Sequence, residues 1–142
     1  MKIRTADFDT IIFDFGGVIL DINPDLSRME LARLIGSECA KRLESDGIVR
    51  EYESGRFGEN EFLRRIKSAA QKDIADNDII KAWNAMLLNY KQPRIDHIRA
   101  LHNTHKLLLL SNTNDTHFRY FHQKLTAEYG VTFYQLFDNL YL

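Results

Sequence analysis

The sequence predicts an α/β fold in which a parallel sheet carries an all-helical insertion, and three observations lead to that prediction. Two apolar runs, at residues 11–20 and 107–110, lie far apart in the chain; the first contains an Asp and two glycines, and the second is followed by polar residues. Strands of an open parallel sheet end in this way where ligands bind. Between the two runs, apolar residues recur at helical spacing. A helical unit placed between two parallel strands is typical of a cap over a crevice.

The first run, I-I-F-D-F-G-G-V-I-L, delivers Asp14 into a turn formed by Gly16 and Gly17. A buried parallel strand is apolar on both faces, so an ionised Asp at its carboxyl end needs a cationic or hydrogen-bonding partner. Consecutive glycines permit a tight turn, and we expect them to present bare N–H groups beside the carboxylate, which suits phosphate. The alternative is an Asp that only caps the turn after the strand.

The helical insertion begins where Pro24 ends the strand-like pattern. Its apolar residues at helical intervals include Leu26, Met29, Leu31, Leu34, Ile35, Phe62, Leu63, Ile66, Ile79, Ile80 and Trp83. Because Trp83 shares this spacing, it is predicted to lie in the core and not to form a substrate platform. Pro93 marks the return to the sheet. The predicted domains are a core of residues 1–21 and 91–142 and a helical cap of residues 22–90.

The second run ends in Ser111 and Asn112, whose hydroxyl and amide groups are neutral donors at the carboxyl end of a strand. Asn114 or Asp115 is the predicted N-cap of a helix over residues 116–129. Because the carboxyl ends of neighbouring parallel strands meet at one edge, we expect these donors and the carboxylate of the first run to share a crevice. The alternative is a loop that only caps the following helix.

Together, F-D-F-G-G-V-I at residues 13–19 and L-L-L-S-N-T-N at residues 108–114 closely resemble the haloacid dehalogenase (HAD) superfamily, in its sugar-phosphatase-like branch. Residues 53–56, with Glu61 and Phe62 downstream, look like the helical cap of that branch. Residues 137–141 look like the strand that follows its second motif, so the resemblance spans essentially the whole chain. It implies a Rossmann-like core with strand order five-four-one-two-three and a small cap inserted after the first strand.

The resemblance also implies a Mg²⁺-dependent phosphatase that acts on a small phosphorylated metabolite, of the sugar-phosphate type, through an aspartyl-phosphate. Asp14 would be the nucleophile and a Mg²⁺ ligand, and the backbone carbonyl of Gly16 would be a second ligand. The phosphoryl oxygens would be bound by Ser111, by Asn112 and by the N–H groups of the turn at Gly17. A carboxylate can attack phosphorus only when a metal and oriented donors offset its repulsion by the phosphate.

One cap residue, Arg56, is the best candidate for contacting a phosphate or a sugar hydroxyl. A surface ion pair with Glu53 or Glu59 is an equally good interpretation of that side chain.

Two departures from the family pattern put the activity in doubt. Most phosphatases of the superfamily carry a general acid two residues after the nucleophile, and this chain has Gly16 there. Asp21 is a candidate substitute acid, or else a solvated loop carboxylate. The sequence also stops at Leu142, before the family's third and fourth motifs, which supply a Lys and further acidic metal ligands. We therefore expect a truncated enzyme that holds Mg²⁺ weakly and is impaired or inactive.

Two alternatives follow from these departures. The first is a non-catalytic fragment or scaffold of the same fold, and the second is hydrolysis of a carbon–halogen bond, as in haloacid dehalogenases. That second branch resembles F-D-x-Y-G-T, and Gly16 and Val18 argue against it. In the resembled fold, the missing fourth strand would pair with the first strand. We therefore expect an open edge on the first strand and self-association through it.

Composition limits the partners. The chain has 142 residues, 19 basic and 20 acidic, with a formal net charge of −1. This balance does not predict binding to nucleic acid or to an anionic membrane. The histidines lack ligand-like spacing, and Cys39 is the only cysteine, which fits a reducing compartment. The N-terminus is too polar for a secretory signal, and no apolar run reaches the roughly 20 residues that span a bilayer. These features predict a cytoplasmic protein.

Overall fold

The structure, a computed structural model, describes Arg4 and residues 7–142. Its five strands are β1 (Thr10–Phe13), β2 (Leu20–Ile22), β3 (Leu87–Tyr90), β4 (Lys106–Leu110) and β5 (Asn139–Tyr141). Its helices are α1 (Pro24–Ile35), α2 (Ser37–Ser45), α3 (Ile48–Glu53), α4 (Glu59–Ala70), α5 (Asp76–Asn84), α6 (Gln92–His102), α7 (Asp115–Tyr129) and α8 (Phe133–Leu136). None of the helices in this described part of the chain is long and apolar enough to cross a membrane.

The chain divides into two compact units, here called the sheet unit and the helical unit. The sheet unit comprises Met1–Ile22, Asn89–Asn112 and Phe121–Leu142. The helical unit comprises Asn23–Leu88 and Thr113–Tyr120. The predicted division into a core and a cap stays a prediction; it assigns residues 113–120 to the core, whereas in the structure Thr113–Tyr120 group with the helical unit.

The sheet unit contains a three-stranded parallel sheet in the order β1-β4-β5. Thr10 to Phe13 of β1 lie opposite Lys106 to Leu109 of β4, and β5 pairs with the other side of β4. This sheet, together with the helices, confirms the predicted α/β fold. A separate two-stranded sheet is formed by β2 and β3, through which the chain enters and leaves the helical insertion.

The two faces of the three-stranded sheet differ sharply. Side chains alternate along a strand, so Leu107 and Leu109, both 0% exposed, lie on one face. Ile12 and Leu110 belong to the opposite face and are 61% and 57% exposed. Among the described residues β1 pairs in this sheet with β4 alone, so its other edge is open. The sheet therefore presents an apolar face next to an open strand edge.

The core of the sheet unit is aromatic. Phe15, directly after Asp14, packs against Phe121 at a ring-centroid distance of 4.1 Å and against Phe133 at 5.5 Å. Buried aromatic rings in such arrangements contribute packing beyond their area. Phe15 therefore fixes the carboxyl end of β1 through its packing in this aromatic core.

The helical unit is built around a continuous apolar core. Its first helix starts as the sequence predicts, because Pro24 occupies the first turn and the side chain of Asn23 accepts a hydrogen bond from the N–H of Asp25 at 3.2 Å. The buried members of the core include Leu31, Ile35, Cys39, Leu43, Tyr52, Phe62, Leu63, Ile66, Ile79 and Trp83. The prediction that Trp83 is a core residue is confirmed.

Candidate active site

Asp14 directly follows β1 and has an exposed side chain. Its Oδ1 accepts a hydrogen bond from the N–H of Phe15 at 2.6 Å. Because Phe15 is buried among the aromatic rings of the core, this bond fixes the orientation of the carboxylate. The side chain is thus accessible and held at the end of the strand.

The turn after Asp14 has the conformation that the sequence predicts, but the backbone N–H of Gly17 is already hydrogen-bonded. Gly17 has φ of +77°, a region that L side chains rarely adopt. Its N–H donates to the carbonyl of Leu20 at 2.8 Å. The expectation of a bare N–H at Gly17 is therefore wrong, because the turn closes on its own backbone.

Gly16 occupies the position where the family pattern has an acid. A Cβ added there would lie 3.1 Å from Cδ1 of Ile22. That contact is tighter than an ordinary van der Waals approach, so any larger side chain requires Ile22 to shift. A carboxylate side chain at position 16 would therefore crowd the side chain of Ile22.

Ser111 and Asn112 follow β4, at the same edge of the sheet. Ser111 is buried, and its N–H donates to the carbonyl of Tyr141 at 2.9 Å. Asn112 is exposed. Since Phe13 lies opposite Leu109 and paired strands are about 4.8 Å apart, both segments leave the sheet side by side. In the structure, Asp14, the predicted nucleophile, therefore lies at the same end of the sheet as Ser111 and Asn112, the predicted phosphate donors. This is the end at which the chain leaves β1 and β4.

Asp21 does not fit the interpretation as a substitute acid. Its carboxylate lies 2.9 Å from Nζ of Lys91 and 2.7 Å from Nη1 of Arg94. The hydrogen bonds from Lys91 and Arg94 lower the pKa of Asp21 below its ordinary value. An ionised carboxylate has no proton to give to a leaving group.

Arg56 lies in the helical unit, between α3 and α4, with an exposed side chain. Its Nη1 lies 3.4 Å from Oε1 of Glu51. The surface ion pair therefore exists with a different partner from the two that the sequence indicated. The contact of Arg56 with a phosphate or a sugar hydroxyl stays a prediction.

Sequence reasoning missed a buried polar cluster at the start of α7, here called the helix-start cluster and formed by Trp83, Asn84, Asn114 and His117. Oδ1 of Asn114 accepts hydrogen bonds from the backbone N–H of His117 at 3.0 Å and from Nε1 of Trp83 at 3.5 Å. Nδ1 of His117 lies 2.8 Å from Oδ1 of Asn84. The prediction of Asn114 as an N-cap is confirmed. The side-chain partners could not be predicted from local spacing, because they lie about thirty residues away in the chain.

The described residues supply only part of a magnesium site. Mg²⁺ prefers six oxygen ligands in octahedral geometry. Within Arg4 and residues 7–142, no group of three His, Cys, Asp or Glu side chains is arranged to hold a metal. At the edge described above, Asp14 offers one carboxylate and Gly16 one backbone carbonyl. The residues present therefore fit a weakly bound ion that keeps several water ligands.

The chain is similar in sequence to one curated enzyme. No protein-family model matches it. A D-ribitol-5-phosphate phosphatase from Bacteroides thetaiotaomicron is 30% identical over 107 residues, which cover 73% of this chain and 52% of the relative. The chain thus spans about half the length of the curated relative that it matches.

The fold is similar to solved structures of longer proteins. A HAD family enzyme from Bacteroides thetaiotaomicron, crystallised with magnesium and inorganic phosphate, superimposes with a TM-score of 0.85 at 24% identity, covering 94% of this chain and 68% of that one. A predicted HAD-like family hydrolase from Porphyromonas gingivalis gives a TM-score of 0.81 at 26% identity, covering 93% and 64%. With the sequence motifs and the sheet order, these likenesses show that the chain belongs to the haloacid dehalogenase superfamily.

Proposed function

We propose that this chain carries the nucleophile and the phosphate-binding loop of a phosphatase for a small phosphorylated metabolite of the sugar-phosphate or polyol-phosphate type. The observation that carries the proposal is the register of β1 with β4, which sets Asp14 and Ser111 at one edge of the sheet. It is supported by the activity of the similar D-ribitol-5-phosphate phosphatase and by the magnesium and phosphate in the similar crystal structure.

In the proposed reaction, a carboxylate oxygen of Asp14 attacks the phosphorus atom. The bond between phosphorus and the substrate oxygen breaks, and the leaving alkoxide takes a proton from water to become the alcohol. Water then attacks the phosphorus of the aspartyl-phosphate, which releases inorganic phosphate and restores the carboxylate. Ser111 and Asn112 donate hydrogen bonds to the phosphoryl oxygens. Gly17 contributes its left-handed conformation and not a donor, since its N–H is paired with Leu20.

The leaving alkoxide receives no proton from the two positions that the family pattern and the sequence indicate. Gly16 has no side chain, and Asp21 is an ionised partner of Lys91 and Arg94. General acid catalysis contributes about 10²–10⁴-fold in enzymes that use it. We therefore expect the rate to depend strongly on the leaving group, with p-nitrophenyl phosphate hydrolysed faster than an alkyl phosphate.

Magnesium is the proposed cofactor. When bound, the ion neutralises the charge of the phosphate and so lowers the barrier to attack by a carboxylate. Asp14 and the carbonyl of Gly16 would hold it. Because these residues fill only part of an octahedral shell, half-maximal stimulation is expected at a higher magnesium concentration than in a site with several carboxylates.

The test is release of inorganic phosphate from p-nitrophenyl phosphate and D-ribitol 5-phosphate, with and without Mg²⁺. Asp14→Asn should lower the rate by about a thousandfold or more, because loss of a nucleophile removes the covalent route. The matched control is Asp9→Asn, which neutralises an exposed carboxylate just before β1. Full activity of the Asp14→Asn protein would show that the nucleophile is assigned wrongly.

The second candidate function is a non-catalytic scaffold of the same fold. It is favoured by Gly16 and by the partial metal shell among the described residues. Wild-type protein that binds inorganic phosphate but releases none from either substrate, at any magnesium concentration, would support it. Carbon–halogen hydrolysis is the remaining alternative from the sequence, and chloride release from 2-chloropropionate tests it directly.

We also propose self-association through the open edge of β1. β1 carries the exposed side chain of Ile12, and an unpaired apolar strand edge favours pairing with another chain. The expected result is a concentration-dependent mass in light scattering, above the 16.6 kDa of one chain. A constant mass of one chain over the accessible concentration range would contradict it.

A further inference from the structure

We propose that the helical unit positions the phosphate-binding loop through two side-chain networks that hold the first turns of α7, so that Thr116 and His117 are positioning residues for Ser111 and Asn112. The inference rests on the proposed function, because it assigns the loop at Ser111 and Asn112 to phosphate. The networks themselves are described by contacts within the helical unit alone.

Helix α7 is divided between the two units. Its residues up to Tyr120 group with the helical unit, and those from Phe121 onward group with the sheet unit. Only Thr113 and Asn114 separate Asn112 from the first residue of the helix. Consecutive Cα atoms are about 3.8 Å apart, so a two-residue connection transmits any displacement of the helix start to the loop.

The helix-start cluster is the first network. The carbonyl oxygen of the Asn114 side chain receives both the indole N–H of Trp83 and the backbone N–H of His117. The rings of Trp83 and His117 stack at 5.1 Å with an interplanar angle of 3°. Asn114 is therefore tied to α5 by a hydrogen bond, and His117, three residues later, by a stacked pair of rings.

The burial of His117 carries a cost in free energy. The residue is only 6% exposed, and its buried Nε2 has no hydrogen-bond partner among the residues that the structure describes. An unpaired buried polar atom is destabilising, and an apolar side chain would avoid that cost. What the imidazole supplies at this position is the directed bond from its other nitrogen to Asn84. Directed bonds specify orientation, whereas apolar packing alone tolerates displacement.

Thr116 is the centre of the second network. Its Oγ1 lies 2.5 Å from the hydroxyl of Tyr52 and donates to the carboxylate of Glu59. Nη2 of Arg119 reaches the same carboxylate at 2.5 Å. Tyr52 is itself fixed, because its ring stacks on that of Phe62 with centroids 4.1 Å apart. The first turns of α7 are thus bound to α3 and α4 as well as to α5.

The later part of α7 offers a matched control. There the hydroxyl of Tyr90 donates to the backbone carbonyl of Phe121 at 2.8 Å, within the sheet unit. This bond is buried and involves a tyrosine hydroxyl, as the Tyr52 bond does, but it does not involve the residues next to the loop. Tyr90→Phe therefore removes a comparable bond from the same helix at a different place.

The experiment compares wild type, Thr116→Val, Thr116→Ser and Tyr90→Phe in the full chain. Hydrogen–deuterium exchange is followed at the amides of Asn112 and Thr113, and inorganic phosphate is titrated as the probe. Thr116→Val should speed exchange at these two amides by about tenfold, the effect expected when a typical buried hydrogen bond is lost. It should weaken phosphate binding severalfold. Thr116→Ser should restore both properties, and Tyr90→Phe should leave both unchanged.

Exchange that quickens only within α7, with the two loop amides and the phosphate affinity unchanged, would overturn the inference. If Thr116→Val does not fold, Trp83→Phe takes its place, because it keeps a ring for stacking and removes the donor to Asn114. Wild-type protein that binds no phosphate would refute the proposed function, whereas exchange at Asn112 and Thr113 would still decide whether the networks hold the loop.

Discussion

The helical unit and the sheet unit differ in how completely they bury their apolar residues. In the helical unit α1 packs on α2 and α5, and α2 packs on α3 and α4, so that Ile66 and Ile79 are 0% exposed. The sheet unit buries Leu107 and Leu109 on one face but exposes Ile12 and Leu110 on the other. The comparison teaches that the stability of the helical unit comes from its own core, whereas the sheet unit retains apolar surface that is available for a further contact.

The largest effect is expected from the core of the helical unit. Phe62→Ala removes a fully buried ring that stacks on Tyr52. The free energy of unfolding should fall by about 3–5 kcal/mol, the usual cost of such a cavity. Urea denaturation followed by circular dichroism measures it. A loss below about 1 kcal/mol would show that the helical unit is packed more loosely than its burial indicates.

Acidification should weaken the helical unit before the sheet unit. Burial lowers the pKa of His117 from 6.5 to about 4. A group with a depressed folded pKa binds its proton more readily when unfolded, so its stabilising effect is complete above pH 6.5 and is lost as the pH falls toward 4. The free energy of unfolding should fall by about 3 kcal/mol across that window.

His117→Phe is the control for this pH dependence, since it keeps an aromatic ring beside Trp83 and cannot titrate. Its stability should be flat where the wild type declines. In the sheet unit, the backbone N–H of Leu107 lowers the pKa of Asp138 below 3.8, so the stability that this carboxylate contributes is lost only at more acidic pH. Equal slopes for wild type and variant between pH 6.5 and pH 4.5 would contradict the prediction.

A smaller effect is expected at the junction of β3 with α7 in the sheet unit. Tyr90→Phe deletes the hydroxyl that donates to the carbonyl of Phe121. The free energy of unfolding should fall by about 1 kcal/mol, the usual net contribution of one hydrogen bond, measured by urea denaturation. Because desolvation raises the pKa of Tyr90 above its ordinary value, the wild-type hydroxyl should also resist ionisation in an alkaline absorbance titration.

The smallest effect on stability is expected at the exposed face of the sheet. Ile12→Lys should change the free energy of unfolding by no more than about 0.5 kcal/mol, because the side chain is already in water. It should nevertheless reduce any self-association, since a charge on an edge strand opposes pairing. Light scattering of both proteins at matched concentrations gives the comparison. If the wild type self-associates and Ile12→Lys shows the same mass distribution, the β1 edge is not the site of association.

The sequence predicts those features whose causes are local. Asp14 and Ser111 could be placed at one edge because each follows an apolar run, and the carboxyl ends of parallel strands meet. The cap at Asn114 was predictable because Asn favours the residue before a helix. The α/β fold follows from the change of period between strand and helix, and it is confirmed by the observed sheet order.

The features that escaped prediction depend on contacts between distant residues or on backbone detail. His117 looks like any surface histidine until Asn84, thirty-three positions earlier, is found beside it. Likewise, the pairing of Asp21 with Lys91 and Arg94 joins segments about seventy residues apart. The donor of Gly17 is lost to Leu20 through the exact course of the turn, which composition does not determine.

The close approach of Ile22 to position 16 has a consequence for any attempt to endow this scaffold with a proton donor. Gly16→Asp alone would set its new Cβ 3.1 Å from the terminal methyl group of Ile22, so the gain in chemistry would be offset by the cost of moving that side chain. Pairing it with Ile22→Ala opens that space. The two substitutions should therefore show positive epistasis, each of little use until the other is made.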